Sequence, residues 1–338
     1  VSALVAIRSR TRARAAVTAV ALAVLLAGAI LLGLLLGDYR LTADEALRAL
    51  LGIGSRVDVY IVTQVRLPRV ALAVLCGAAL GLSGSLFQSM LANPLASPDL
   101  LGISGGAGVA AVWATVVMGY TGAAVAGAAF VGGMTVAAIL LGVSRRLSDG
   151  GYRLVLAGVG IAYLCSALVG YLLKRAQLND AQSAIVWITG SLGATSWMPV
   201  GIVGLALAVC LPGLIGAARS LPILALGDPV ARGLGLAPAT ARIAIVVTAV
   251  LLATATTAQI GPVGFVALCA PPIARALVGH GSAALAAAGL AGALILLTAD
   301  LAGQYALPGL SVPVGVVTGA VGAPYLLWLL ATSKGRRA

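Results

Sequence analysis

Uncharged apolar runs, each about as long as a lipid hydrocarbon core is thick, recur along this chain and leave it few ways to fold. A helix rising 1.5 Å per residue needs about 20 residues to cross a core of about 30 Å. Such runs occupy residues 15–37, 70–90, 154–173, 199–218, 243–258, 265–277 (interrupted only by Arg275 near its end), 283–299 and 314–332. The uncharged stretch 100–144 is long enough for two helices, with Gly119-Tyr120-Thr121-Gly122 as the turn between them. Gly261-Pro262-Val263-Gly264 separates two of the runs and would break any continuous helix. The expected fold is all-α, a polytopic membrane protein of about ten transmembrane helices.

Composition agrees. Hydrophobic residues make up 61% of the 338, charged residues only 9%, and mean hydropathy is +1.11. A soluble domain is about one quarter charged, so this chain lacks the polar side chains to coat a water-facing surface. Length alone would allow roughly two domains. A helical bundle in lipid has one continuous core, so residues 1–338 are expected to form a single transmembrane domain. The 44 glycines fit, because helices in lipid associate through close backbone contact between small residues. The Arg-rich start resembles a signal peptide, but the first apolar run is long and no small-residue cleavage site follows. A retained first helix is expected.

The formal charge of +12 does not point to nucleic acid, because the basic residues stand singly or in short clusters between apolar runs. Fourteen of the 21 fall in segments on one side: Arg8, Arg10, Arg12, Arg14, Arg145, Arg146, Arg153, Arg219, Arg232, Arg242, Arg275, Lys334, Arg336 and Arg337. The other seven are Arg40, Arg48, Arg56, Arg66, Arg69, Lys174 and Arg175. That excess places both termini in the cytoplasm. Cys76, Cys165, Cys210 and Cys269 are widely spaced without a CxxC or a His pairing, and read as small packing residues. His280, flanked by Gly279 and Gly281, reads as a helix-end residue; a lone His makes no metal site.

Two connecting segments are too patterned to be plain loops. Residues 180–192 are mildly apolar and read as a short interfacial helix on the outer side. Residues 219–242 form a long inner segment, in which Leu221-Pro222 and Ala237-Pro238 bracket a Gly-rich stretch, 227–235. Pro at a first turn and Gly at a terminus predict one or two short helices lying across the cytoplasmic face as a docking surface.

The densest motif runs from Arg66 to Gly108: RLPRVALAVLCGAALGLSGSLFQSMLANPLASPDLLGISGGAG. Arg66 and Arg69 flank a Pro at the outer end of a helix. Gly77, Gly81, Ser83, Gly84 and Ser85 follow as small packing positions. Asn93-Pro94-Leu95-Ala96-Ser97-Pro98 reads as a rigid inner hairpin, with Ser97 or Asp99 placed to cap the next helix.

Together with Leu226-Gly227-Asp228, Gly233-Leu234-Gly235, Gly261-Pro262-Val263-Gly264-Phe265-Val266-Ala267-Leu268, Pro272-Ile273-Ala274-Arg275, Ala299-Asp300, Pro313-Val314-Gly315-Val316-Val317-Thr318 and Gly322-Ala323-Pro324, this stretch resembles the FecCD-type permeases of binding-protein-dependent ABC importers. The match extends over nearly the whole chain and is most similar to ferric-enterobactin and other ferric-siderophore permeases; haem and vitamin B12 permeases belong to the same family. The resemblance implies a type II importer permease fold in a bacterial cytoplasmic membrane. It implies a second permease subunit, two ATPase subunits below that bind ATP and Mg, and a periplasmic or lipid-anchored siderophore-binding protein above. Leu226, Gly227, Asp228, Ala231, Gly233, Leu234 and Gly235 match the coupling segment that enters the ATPase. Arg66 and Arg69 match docking residues for the binding protein, and Asn93, Pro94 and Leu95 match the cytoplasmic gate. Some relatives carry a third docking Arg where this chain has Gln304, many carry Glu in place of Ser311, and His often stands where this chain has Pro272. Weaker docking through the last outer loop, and a heterodimer of two permease chains, are the corresponding expectations.

No GxxxxGK[ST] phosphate loop occurs, and the two lysines lie in no Gly-rich loop. ATP hydrolysis is therefore expected from a partner, and no cofactor from this chain. No carboxylate falls at the middle of a run, which disfavours an ion-coupled secondary transporter.

Overall fold

A computed structural model describes residues 2–144, 150–193, 195–279, 284–307 and 309–333. Among them, all regular structure is helical. His280, Arg145, Arg146, Lys334, Arg336 and Arg337 lie outside the described residues.

The first long helix, α1 (Ser2–Leu35), is followed by the short α2 (Ala43–Leu50) and α3 (Arg56–Tyr60). Thr42 and Glu45 close a reciprocal capping box at the start of α2. A π-helical turn, Ile61–Arg66, joins α3 to α4 (Leu67–Met90). Pro68, the second residue of α4, has no N–H to give the carbonyl five residues back. The Trp197 indole N–H donates to that carbonyl, Thr63 O, at 3.1 Å.

Helices α5 (Ile103–Val116), α6 (Ala123–Ser144) and α7 (Gly150–Arg175) come next, then the short α8 (Leu178–Thr189). The chain continues through α9 (Trp197–Leu224), the short α10 (Asp228–Gly233) and α11 (Pro238–Ile260), and finishes with α12 (Val266–Val278), α13 (Leu285–Tyr305) and α14 (Val314–Ser333). Among the described residues, seven helices are long and apolar enough to cross a membrane, and α5, α12 and the stretch Val314–Trp328 of α14 are shorter apolar ones. The α10 segment and the turn after α4 therefore share one face of the bundle; α8 and the α3–α4 junction share the other.

Helix α4 is the axis, packing against α13, α11, α12 and α9. Of the apolar windows in α4 and α11, 72% and 67% are buried, against 11% and 17% in α7 and α9, which face outward. The close approach depends on glycine. A Cβ on Gly77 or Gly81 would overlap the carbonyl oxygens of Gly292 or Ala288 in α13, and one on Gly84 would overlap Ala267 O of α12. Without a hydrophobic drive between helices, this backbone contact and the polar links across it hold the bundle. One such link is the Ser83 hydroxyl, which donates to Ala249 O at 2.7 Å.

At 14 and 13 residues, α5 and α12 are too short to cross unaided. Irregular backbone supplies the remaining depth: the turn at 91–102 before α5 and the segment Gly261-Pro262-Val263-Gly264 before α12. The second is covered by protein. Ser191 N–H donates to Ile260 O at 2.8 Å, and Gly315 N–H donates to Gly190 O at 3.1 Å. Gly261 combines φ +75° with ψ −179°, a conformation essentially confined to glycine.

One boundary differs from expectation. Helix α9 runs through Arg219 and Pro222 to Leu224, so Pro222 ends a long helix and does not begin a short one. Ala225 N–H donates to Leu221 O, so the ladder resumes beyond the proline. Within 219–242 the connector is thus reduced to the residues around α10.

Candidate functional site

The segment 225–237 is built from its glycines outward. Gly227 (φ +92°) turns the chain into α10, and Pro229 sits in the first turn, where its missing N–H costs nothing. At the far end Gly235 takes φ +82°, its N–H donates to Arg232 O, and Leu236 N–H donates to Ala231 O. That pair of bonds is a Schellman closure with Gly235 in the left-handed position. Ala231 is fully buried beneath the helix, whereas Leu226, Val230 and Leu234 are 60%, 47% and 62% exposed. Val230 lies within α10, Leu226 just before its Gly227 turn and Leu234 at its C-cap, so the segment carries three exposed apolar side chains at four-residue steps.

A charged brace fixes this helix to α11. The Arg242 guanidinium donates Nη1 to Asp228 Oδ2 at 3.0 Å and Nη2 to Oδ1 at 2.6 Å, a bidentate pair, and Arg232 lies 3.9 Å from the same carboxylate. The hydrogen bond from Arg242 holds the Asp228 carboxyl below the usual carboxylate range. Gly233 has open space where a Cβ would stand.

On the same face, the turn after α4 is rigid. Asn93 Oδ1 accepts from Leu95 N–H at 2.9 Å, and Asn93 N–H donates to Gln88 O. Gln88 in turn donates to Leu268 O at 3.0 Å and accepts from Arg275. Ser97 Oγ accepts from Leu100 N–H, capping the turn at 97–101. Helix α5 itself starts from Gly102 in a left-handed conformation, so neither Ser97 nor Asp99 is its cap. Asp99 accepts from the Ser104 hydroxyl while its Oδ2 is buried with no partner among the described residues.

On the opposite face, Arg66 is 8% exposed and turned inward. It donates to Leu34 O at 2.6 Å, to Leu35 O at 3.1 Å and to Tyr39 O, completing the carbonyls at the end of α1. Arg69 pairs side-on with Asp300 of α13: Nε to Oδ2 at 3.0 Å and Nη2 to Oδ1 at 2.8 Å. The Asp300 side chain is 4% exposed and that of Arg69 29%. Gln304, expected in a loop, lies in the last turn of α13, where its amide donates to Asp300 Oδ2 at 2.7 Å.

The FecCD transport family matches residues 23–332. This chain belongs to that family. It is 35% identical over 324 residues to the Fe(3+)-citrate import system permease protein YfmE of Bacillus subtilis, covering 95% of this chain and 97% of that one. It is 38% identical over 304 residues to the ferric enterobactin transport system permease protein FepG of Escherichia coli, covering 88% and 90%. Among solved structures, an inward-facing metal-chelate type ABC transporter superposes with a TM-score of 0.81 at 25% identity, covering 93% of this chain and 98% of that one.

For a FecCD permease, the structure groups the sequence-derived candidates into three places. Leu226, Gly227, Asp228, Ala231, Gly233, Leu234 and Gly235 make one continuous unit at α10; Asn93, Pro94 and Leu95 form a separate turn on that face. Arg66, Arg69 and Gln304 cluster at the other face through Leu34 and Asp300. Sequence reasoning missed Val230, Arg242 and Asp300. The first could have been found from the four-residue spacing with Leu226 and Leu234. The others lie 14 and 231 residues from their partners, with no local signal.

Proposed function

We propose that this chain is the translocation subunit of a binding-protein-dependent ABC importer that carries a ferric siderophore into the cytoplasm. The observation that carries the reading is α10: an apolar stripe, Leu226, Val230 and Leu234, held out on a helix braced by Asp228 and Arg242. A short helix of this kind suits a partner that pushes, because the stripe gives adhesion and the brace transmits force to α11. The ferric-citrate and ferric-enterobactin relatives support the choice of cargo.

In this reading α10 and both termini face the cytoplasm, consistent with the distribution of Arg and Lys. ATP and Mg belong to two separate ATPase subunits, a second permease chain completes the pathway as a heterodimer, and a siderophore-binding protein docks at the α8 face. The turn at Asn93, Pro94 and Leu95 serves as the inner gate.

The experiment is uptake of radiolabelled ferric siderophore by cells with and without the chain, alongside Leu234→Glu. A charge at the end of the stripe is expected to reduce uptake to background while ATPase activity persists. Full uptake by the variant would remove the coupling assignment, and uptake of cobalamin in place of the ferric chelate would reassign the cargo.

A further inference from the structure

Helices α6 and α9 both rest on α11, and between them they leave a groove. A Cβ on Gly133 of α6 would overlap the Thr254 side chain of α11, and one on Gly213 of α9 would overlap that of Thr248. The Cys210 thiol also donates to Thr248 O at 3.9 Å. These contacts lie toward the middle and inner part of α11. Nearer the α8 face the two helices stand apart around a cavity of about 930 Å³.

The walls of the groove are apolar: Ala126, Gly127 and Phe130 on α6, and Ile202, Leu205 and Val209 on α9. Leu251 and Ala255 of α11 form its floor. Polar side chains gather at one end, where Thr121, Ser183, Ser196 and Gln259 make a rim. That is the α8 end, because Ser183 belongs to α8, Ser196 directly precedes α9 and Gln259 is the penultimate residue of α11. Among the described residues that line the groove there is no Asp, Glu, Lys, Arg or His.

Depth and direction identify the occupant. From Met198 to Cys210 the α9 wall runs about 18 Å, close to half of a hydrocarbon core of about 30 Å. The groove therefore extends over one leaflet, with its polar rim at headgroup level and its apolar length beside the chains. Leu205 and Val209 at its edge are 66% and 64% exposed, so its mouth opens sideways to lipid. Apolar cavities stay dry, and an empty one forfeits the dispersion contacts of its lining atoms. Without a charged side chain, recognition falls to the chain and not to an anionic headgroup.

We propose that this groove binds one acyl chain of a phospholipid from the leaflet on the α8 side, with the glycerol and ester region at Thr121, Ser183, Ser196 and Gln259. In the orientation proposed above, that leaflet is the outer one. The chain completes the packing of α6, α9 and α11 where no side chain reaches, and it holds α6 and α9 apart above their contacts with α11. Gly127 fits this use. A Cβ there would meet nothing within 4 Å, so the glycine serves no helix contact and leaves room in the groove.

The test is photolabelling of the full-length chain in proteoliposomes with phosphatidylcholine that carries a diazirine midway along one acyl chain, read by peptide mass spectrometry. Adducts are expected on Leu251 and Ala255 inside the groove, at yields comparable to those on Val131 and Leu211, which face outward. Gly127→Leu fills the groove from α6 and should lower the Leu251 and Ala255 adducts on the order of tenfold, an occupancy change of about 1.4 kcal/mol. Val131 and Leu211 should be labelled as before. Ala206→Phe fills the groove from α9 and decides the matter if the first variant does not accumulate. Adducts confined to Val131 and Leu211 in the unaltered protein, or α11 adducts that persist in both variants, would overturn the proposal. Rapid reaction of Cys210, at the inner end, with a membrane-impermeant maleimide would mark the groove as water-filled and overturn it as well. No cargo, ATP or docking protein takes part, so the outcome is separate from whether a siderophore is carried.

Discussion

At the α8 face, the charged cluster at the start of α4 is turned into the bundle: Arg66 closes the end of α1, and Arg69 meets the nearly buried Asp300. At the α10 face the arrangement is reversed. Asp228 and Arg242 are 35% and 44% exposed, and the apolar residues point outward at Leu226, Val230 and Leu234. One face thus uses charge to finish its own fold, while the other uses charge to hold an apolar surface open. The contrast follows from solvent access. A bidentate pair shielded from water is strong and costly to break, whereas an exposed one contributes little to stability and serves mainly to fix geometry.

If that contrast is right, the largest stability loss belongs to Arg66. Arg66→Ala orphans the carbonyls of Leu34, Leu35 and Tyr39 and is expected to cost about 3 kcal/mol or more, read as a lower unfolding temperature in detergent. Arg66→Lys, which keeps the charge but not the fork, should fall between. A loss no greater than that of a surface substitution would erase the difference between the faces.

A smaller effect separates two glycines of α10. Gly235→Ala forces a side chain into the left-handed region and should cost about 1–2 kcal/mol of local stability. Gly233→Ala enters open space and should change stability by less than about 0.5 kcal/mol. Hydrogen exchange at Leu234 and Leu236 would resolve them; equal losses would show that the Schellman closure does not hold the stripe.

The smallest effect is the pH response of the brace. The carboxyl of Asp228 is depressed in the folded state, so its stabilising contribution is complete above its unfolded value and disappears as pH falls through the folded one. Exchange protection of α10 should be flat from pH 8 to about pH 5 and fall only below about pH 4. Asp228→Asn should abolish that fall, and a fall unchanged in the variant would assign it to another group.

How much of this was legible in the sequence depended on range. The spans at α4 and α11 and the punctuation at Gly227 and Gly235 are local signals, and the structure places helices and turns there. The packing glycines were also visible, since Gly77, Gly81 and Gly84 fall on one helical face. Pro222 misled because proline is read as a helix start, yet α9 continues through it to Leu224 and the ladder resumes at Ala225. The Arg69–Asp300 pair was out of reach, because 231 residues separate partners that meet only when α4 packs on α13. Arg66 and Arg69 look equivalent in sequence; only the end of α1 tells them apart.

The cap on α1 also sets an order for biogenesis. Its last carbonyls are completed by an arginine made about 30 residues later, and Arg14 near its start donates to Leu277 O, 263 residues further on. Helix α1 can therefore have one end finished as soon as α4 follows it. Its other end waits until α12 has been synthesised. The two ends of α1 thus depend on segments made at very different times.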